Sequence, residues 1–287
     1  MASFDFIEAS ARGYEFSWNE RSYLMRAAVP VILVKLVCIL IIRFMHIEDQ
    51  SLISGLVFMP AHVLEALFMV SVVRFIAFRE PLFEFGRVMG AGGESDISPE
   101  GKAAMDDAGE KRTQSAPVFT GVKMFKAGVA MYLLIKIIQV GFVGAMLDYS
   151  KTLDPATQIP APEQNVASAL VFMAITGVML WAFRLMWLYI PVALGYSVRG
   201  VLTRIKGMMS SLNIFATWFV CYFPLVILVY GMFRISNFVV VPETAVQVFA
   251  HDIIRIFGET LIILVQVAAM TYGFIEVLTQ HKKKKDQ

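Results

Sequence analysis

Charge is scarce in this chain and cysteine almost absent. Of the 287 residues, 17% are Asp, Glu, Lys or Arg and 57% are hydrophobic. An ordinary soluble domain carries about 25% charged residues, so the composition excludes that class and suits an integral membrane protein. The two cysteines, Cys38 and Cys221, both fall in apolar stretches. They build no disulfide framework and fit no metal spacing, and cysteine in such a setting behaves as a small hydrophobe. No G-x-S-x-G, H-E-x-x-H, P-loop or paired-aspartate metal motif occurs. Enzyme chemistry therefore has no visible carrier, and neither a cofactor nor a metal is expected. No basic stripe is interleaved with exposed aromatics in a soluble segment, which excludes a nucleic-acid partner. The first 23 residues hold Asp5, Glu8, Glu15 and Glu20 and no apolar core, so no cleavable signal peptide is expected ahead of the first span.

What the chain does have is length of apolar run. Crossing the roughly 30 Å hydrocarbon layer takes about 20 helical residues. Six stretches qualify: Leu24 to Met45, Leu52 to Phe78, Phe119 to Leu147, Val166 to Ser197, Met208 to Phe233 and Phe249 to Thr279. The fold class expected is all-α, a polytopic membrane bundle of six transmembrane helices. It is organised as a cytoplasmic amphipathic segment (1–23), a first hairpin (24–78), a flexible cytoplasmic loop (79–118) and a second hairpin (119–197) with its outside loop near 148–165. An amphipathic linker (198–207), a third hairpin (208–279) and a basic tail (280–287) follow.

The basic residues set the orientation. Sixteen of the 25 Lys and Arg lie in the N-terminal segment, the second and fourth loops with their edges, and the tail, against three (Arg43, Lys151 and Arg234) in the alternate loops. The positive-inside rule places both termini in the cytoplasm. The same asymmetry makes a basic inner rim, with Arg199, Arg204, Lys206, Lys282, Lys283, Lys284 and Lys285 as candidate contacts to anionic lipid headgroups, each worth about 1 kcal/mol near the surface. Setting topology alone accounts for these residues equally.

Between the second and third spans, residues 86–117 are small and charged with no period, the composition of a loop that cannot bury enough surface to order itself. Its Gly-Ala-Gly-Gly run lacks the strand before and the GK[ST] after that a phosphate cradle needs. Two other segments are periodic. Phe4, Ile7, Ala11, Tyr14 and Trp18 fall at helical spacing, as do Leu194, Val198, Val201, Leu202 and Ile205. Both segments are expected to lie flat in the inner interface. Pro155, Pro160 and Pro162 predict an extended outside connection from Asp148 to Asn165.

Five charges lie inside apolar spans: Lys35, Glu65, Lys136, Arg184 and Glu259. A charge near mid-bilayer costs at least about 2.5 kcal/mol, so such residues face the protein interior and have a partner or a task. Lys35 lies nine residues past the inner edge at Arg26, and Glu65 about 13 residues in from the outer edge. The two depths match across one hairpin, so they form the natural ion pair. Arg74, Lys126 and Arg255 are near enough to span ends to snorkel. Arg26-Ala-Ala-Val before Lys35 and Lys126-Ala-Gly-Val before Lys136 hint at a parallel repeat, which makes the two lysines equivalent and sets Glu259 opposite Glu65. The five charges form either a polar network that holds hairpins together or the lining of a cavity for a solute, proton or headgroup, with the excess of positive charge favouring an anion. His62, three residues before Glu65, shares its helical face and is a candidate proton relay.

Arg184-Leu-Met-Trp-Leu-Tyr-Ile-Pro191, followed by Gly195-Tyr-Ser-Val-Arg-Gly-Val-Leu-Thr-Arg-Ile-Lys-Gly207, resembles the arginine, proline and short amphipathic linker of small bacterial six-helix membrane proteins. These are the membrane domain attached to some glycerophosphodiester phosphodiesterases and its Yip-like relatives. Gly13-Tyr-Glu-Phe-Ser-Trp-Asn-Glu-Arg21 is similar in character. The resemblance covers about a quarter of the chain. It implies a helical bundle in the bacterial inner (cytoplasmic) membrane and carries over no functional residue; the phosphodiesterase domain has no counterpart here.

The function expected is that of a non-enzymatic inner-membrane protein, a lipid-contacting binding, scaffold or accessory subunit. Its lateral faces, with the small-residue spacing of Gly141 and Gly144, engage lipid, another membrane protein or a second copy. The alternatives are a small transporter or channel for an anion or proton that uses the buried charges, and, third, a membrane enzyme acting on lipid headgroups through Glu65 or Glu259.

Overall fold

A computed structural model describes residues 5–47, 52–82, 119–152, 173, 177, 181–205, 207–239 and 244–283. Among these the regular structure is helical, without strands. The helices are α1 (Phe6–Asn19), α2 (Arg21–Phe44), α3 (Leu52–Val57), α4 (Met59–Phe78), α5 (Phe119–Thr152), α6 (Tyr189–Ala193), α7 (Val198–Arg204), α8 (Met208–Val239) and α9 (Ala245–Lys283), with a 3-10 turn over Arg184–Trp187. Five of them, α2, α4, α5, α8 and α9, are long and apolar enough to cross a membrane.

α4 is the axis of the bundle. It packs on α2, α5 and α9, and Phe68, Met69, Val70, Val72 and Val73 are all buried. A helix apolar all round belongs inside, and α4 is one. α2 and α8 instead present Leu33, Val37, Leu40, Phe219, Phe223 and Ile227 outward, as lipid-facing helices do. The predicted second span is two helices. Pro60 has no N–H to give the carbonyl of Leu56, so the ladder breaks between α3 and α4, at Phe58.

The predicted fourth span, Val166 to Ser197, lies largely outside the described residues, and its described part from 181 on is no single regular helix. Pro191 cannot donate to the carbonyl of Trp187; the chain tightens into the 3-10 turn, restarts as α6 and ends at Gly195, which adopts φ 88°. The predicted loop 86–117 also lies outside the described residues, as do Lys206, Lys284 and Lys285, while Lys282 and Lys283 form the last turn of α9 rather than a separate tail. α5 runs on to Thr152, past the predicted end at Leu147; residues 153–165 of the predicted outside loop lie outside the described residues.

α1 differs most from its expected placement. Asp5 caps it, accepting from Ile7 N–H at 2.8 Å and Glu8 N–H at 3.4 Å. Its buried stripe is Ala9, Ser10, Gly13, Phe16 and Ser17, while the bulkier Ile7 and Trp18 of the predicted stripe face outward. The helix packs on α8 and α9. In a bilayer the apolar face is the solvent-facing one, and helices meet through small residues. A Cβ at Gly13 would stand 2.7 Å from Ala269 N of α9, which only glycine avoids. Tyr14 donates to the carbonyl of Cys221 at 2.9 Å; burial pushes its hydroxyl up to about 12, so it remains a donor throughout the neutral range. Phe16 adds ring contacts to Phe75 and Tyr272, at 5.8 and 6.4 Å between centroids.

Gly141 packs on no other helix among the described residues: a Cβ there would have open space for 4 Å. The close approach on α5 is Gly128, against Ala193 of α6 and Val70 of α4.

Gly13→Val is expected to lower the thermal unfolding temperature of the purified protein in detergent, by the equivalent of about 1–3 kcal/mol for overpacking against backbone. Ala11→Val, on the outward face of the same helix, should stay within about 0.5 kcal/mol.

Candidate functional site

At one end of the bundle α2, α3, α4, α5, α8 and α9 part around a cavity of about 930 Å³. Its mouth is the C-terminal end of α2 (Arg43, His46) with the N-terminal end of α9 (Asp252), and its base is Lys35, Glu65, Lys136 and Gln266. From Arg43 to Lys35 is eight residues of α2, so the cavity runs roughly 12 Å along the bundle.

Glu65 organises the base. Its residue is 1% exposed, and three groups converge on its carboxylate. Lys35 Nζ lies 3.4 Å from Oε1, Lys136 Nζ 4.0 Å from the same oxygen, and His62 Nδ1 3.2 Å from Oε2. Each comes from a different turn or helix: Lys35 from α2, Lys136 from α5, and His62 from the preceding turn of α4. Lys35 is as buried as its partner, whereas the Lys136 side chain keeps 22% of its surface and faces the cavity. Lys136 also lies 5.6 Å from the Tyr132 ring centroid. Tyr132 and Tyr189 make an edge contact at 4.9 Å and are not among the residues that line the cavity.

Two ammonium groups thus share one carboxylate. Toward the mouth the charges are paired: Arg43 with Asp252 at 2.8 Å, across α2 and α9, and Arg255 with Glu259 at 3.2 Å along α9. Among the described residues the cavity lining holds four Lys and Arg against three Asp and Glu, and the unmatched positive charge sits at the base. Gln266, 5% exposed, lines the base with its Nε2 donating to no protein group. Between base and mouth the walls carry an apolar strip, with Ile39, Ile42, Phe58, Ile256 and Ile263, beside Ser54 and Gln139. On α8, Trp218 and Tyr222 stack at 4.8 Å and 13° and close one side.

The five charges singled out by sequence therefore divide. Lys35, Glu65 and Lys136 come together, and His62 with them. Glu259 lines the cavity but is not buried: its side chain is 48% exposed and paired to Arg255 one turn back, so it does not mirror Glu65. An acid with a cation at i−4 on an open helix face needs no interior partner. Arg184 belongs elsewhere. It is 5% exposed, donates to the carbonyl of Ile205 at 2.6 Å and stacks over Trp181 at 4.4 Å, away from the cavity.

Arg74, expected to snorkel, is 3% exposed. It donates to the Ala193 carbonyl at 2.9 Å and to both carboxylate oxygens of Glu80. Arg79, at φ 57°, turns the chain back so that Glu80 reaches it, a reversal that no residue type there announces. Asp252 and Gln266, which the sequence gave no reason to select, join the lining because they share the Glu259 face of α9 at helical spacing. Of the predicted headgroup contacts, Arg199 is exposed, and Arg204 closes α7. Among the described residues no cluster of His, Cys, Asp and Glu could hold a metal.

No protein-family model, curated protein or solved structure matches this chain.

Glu65→Gln leaves two ammonium groups buried against no anion and is expected to destabilise the protein by about 3–5 kcal/mol in thermal unfolding. Lys136→Met leaves Lys35 and Glu65 balanced and should cost clearly less. Adding Lys35→Met to Glu65→Gln should recover part of the loss; a double variant no more stable than Glu65→Gln would show that the pair is not the constraint.

Proposed function

We propose that this is a non-enzymatic, six-helix protein of a bacterial inner membrane, with both termini in the cytoplasm, that binds an anionic group in its outward-facing cavity. The observation that carries the reading is the base of the cavity, where Lys35 and Lys136 share the single carboxylate of Glu65. Buried cations without equal countercharge attract an anion, and low-dielectric walls strengthen that attraction. Orientation follows from the ends of the helices. The mouth lies at the C-terminal end of α2 and the N-terminal ends of α4 and α9, opposite the ends that carry the basic loops and tail, so the positive-inside rule turns it outward.

In this role the protein is a binding or accessory subunit of a membrane assembly, with anionic lipid at its basic inner rim. Carriage of the anion across the membrane is the second reading. It is favoured by the depth of the base, since Lys35 lies near the middle of α2.

The test uses a background in which Cys38 and Cys221 are replaced by alanine. In intact cells a membrane-impermeant maleimide is expected to label His46→Cys at the mouth and Gln139→Cys deeper in, and to spare Ala11→Cys until the cytoplasmic side is opened. Labelling of Gln139→Cys should slow in the presence of the bound anion. If Gln139→Cys reacts from neither side the cavity reading fails, and if Ala11→Cys reacts from outside the orientation is inverted. Reaction of Gln139→Cys from both sides in turn would favour carriage.

A further inference from the structure

The cavity is zoned along its length in a way that narrows the ligand, given that it binds an anion at all. Unmatched positive charge is confined to the base. Lys136, the partly exposed ammonium, lines the cavity there, and so does Gln266, whose buried Nε2 has no protein acceptor. A buried amide left unsatisfied costs about 1–3 kcal/mol, which an acceptor brought in by a ligand would recover. Away from the base each cation already has its acid, Arg43 with Asp252 at the mouth and Arg255 with Glu259 midway along α9. A ligand charged at its outer end would have to break one of these pairs.

The space between the two zones carries a long apolar strip. Ile39, Ile42, Phe58 and Ile263, with the stacked Trp218 and Tyr222, lie along the roughly 12 Å between Lys35 and Arg43, beside the paired Arg255 and Glu259. The volume of about 930 Å³ is at the upper end of pockets that hold a drug-sized organic molecule. A bare inorganic ion at the base would leave those walls against water. The charge count limits the headgroup as well: two ammonium groups less one carboxylate leave a single positive charge, which a carboxylate balances and a phosphate monoester, at about −1.5 to −2, exceeds.

We infer that the cavity receives an organic monocarboxylate, its carboxylate seated on Lys136 and Gln266 at the base and its apolar body lying along Ile39, Ile42, Ile263 and the Trp218 and Tyr222 rings toward the mouth. This rests on the anion-binding reading above and adds the class of anion. No bond is made or broken in binding, and the pair of Arg43 with Asp252 stays closed over the apolar end.

The inference is tested with the full chain in phosphatidylcholine nanodiscs, by equilibrium binding of radiolabelled octanoate, with empty discs subtracted. Octanoate is expected to bind saturably, and acetate, sulfate, octanol and octyl phosphate to compete at least about tenfold less well than unlabelled octanoate. Lys136→Gln should weaken octanoate about tenfold and Lys136→Arg should restore most of it, with thermal unfolding showing both variants folded. If acetate or sulfate competes as well as octanoate while Lys136→Gln still weakens binding, the site takes compact anions: the inference falls and the anion reading stands. If octyl phosphate competes better than octanoate, the carboxylate assignment falls. If octanol competes equally and Lys136→Gln changes nothing, or folded protein binds none of the anions, both fall.

Discussion

The carboxylate of Glu65 is the constraint on which this bundle depends. An ionised group taken out of water pays several kcal/mol that only close countercharge returns, and Glu65 is 1% exposed on the helix that every inner neighbour touches. Its countercharges come from α2 and α5, so both helices must stand beside α4 at the depth and rotation that bring Lys35 and Lys136 to one oxygen. Three helices are thereby fixed to one another by a single atom. The alternative arrangement, with any of the three charges turned to lipid, is the one the bilayer penalises. Apolar packing alone would not choose the rotation, because lipid tails are as apolar as the leucines and valines of the spans.

That constraint also leaves something over. A neutral ion pair would have been satisfied by Lys35 and Glu65 alone. The second lysine makes the base positive and holds it beside a cavity rather than in closed packing, with Lys136 the more open of the two. Stability argues for one lysine and the structure has two. The excess is what a site for an anion would require and what a purely structural network would not, and it shifts weight from the scaffold reading toward binding.

How much of this the sequence discloses depends on which physical rule governs each residue. The Lys35 and Glu65 pair was legible because depth can be counted along two helices of one hairpin. Lys136 was legible only as the repeat partner of Lys35, and the repeat pointed it to the same depth without saying that both would reach the same acid. Glu259 misled because its apolar surroundings in sequence are lipid-facing and cavity-facing in the fold, with Arg255 a turn away. Arg184 misled because its partner is a backbone carbonyl, which no sequence pattern marks. α1 was legible as a helix by its period, whereas its packing on α8 and α9 through Ala9, Ser10, Gly13 and Ser17 was not. A large apolar residue turns inward in water, but against lipid the bulky face turns out and Gly13, Ser10 and Ser17 turn in. The pattern is the same and the solvent reverses its meaning.

The two ends of the molecule differ in kind, and the difference bears on what the cavity does. At the end away from the mouth, Arg74 and Arg184 each donate to a carbonyl that a helix terminus leaves unpaired: Ala193 at the end of α6 and Ile205 at the end of α7. Glu80 seats Arg74 in turn, and Gly128 lets α5 close on α6 and α4 beneath the base. At the mouth the partly exposed Arg43 and Asp252 join α2 to α9, and Asn237 of α8 accepts from Gln247 and meets the His251 ring of α9. On the proposed orientation, opening inward would strand two buried guanidiniums, whereas opening outward parts a pair that water can already reach together with the close approach of Gly55 to Val140 of α5. A carrier needs both openings at comparable cost. The buried guanidiniums make inward opening the dearer of the two, as the proposed uptake of a ligand from outside would require.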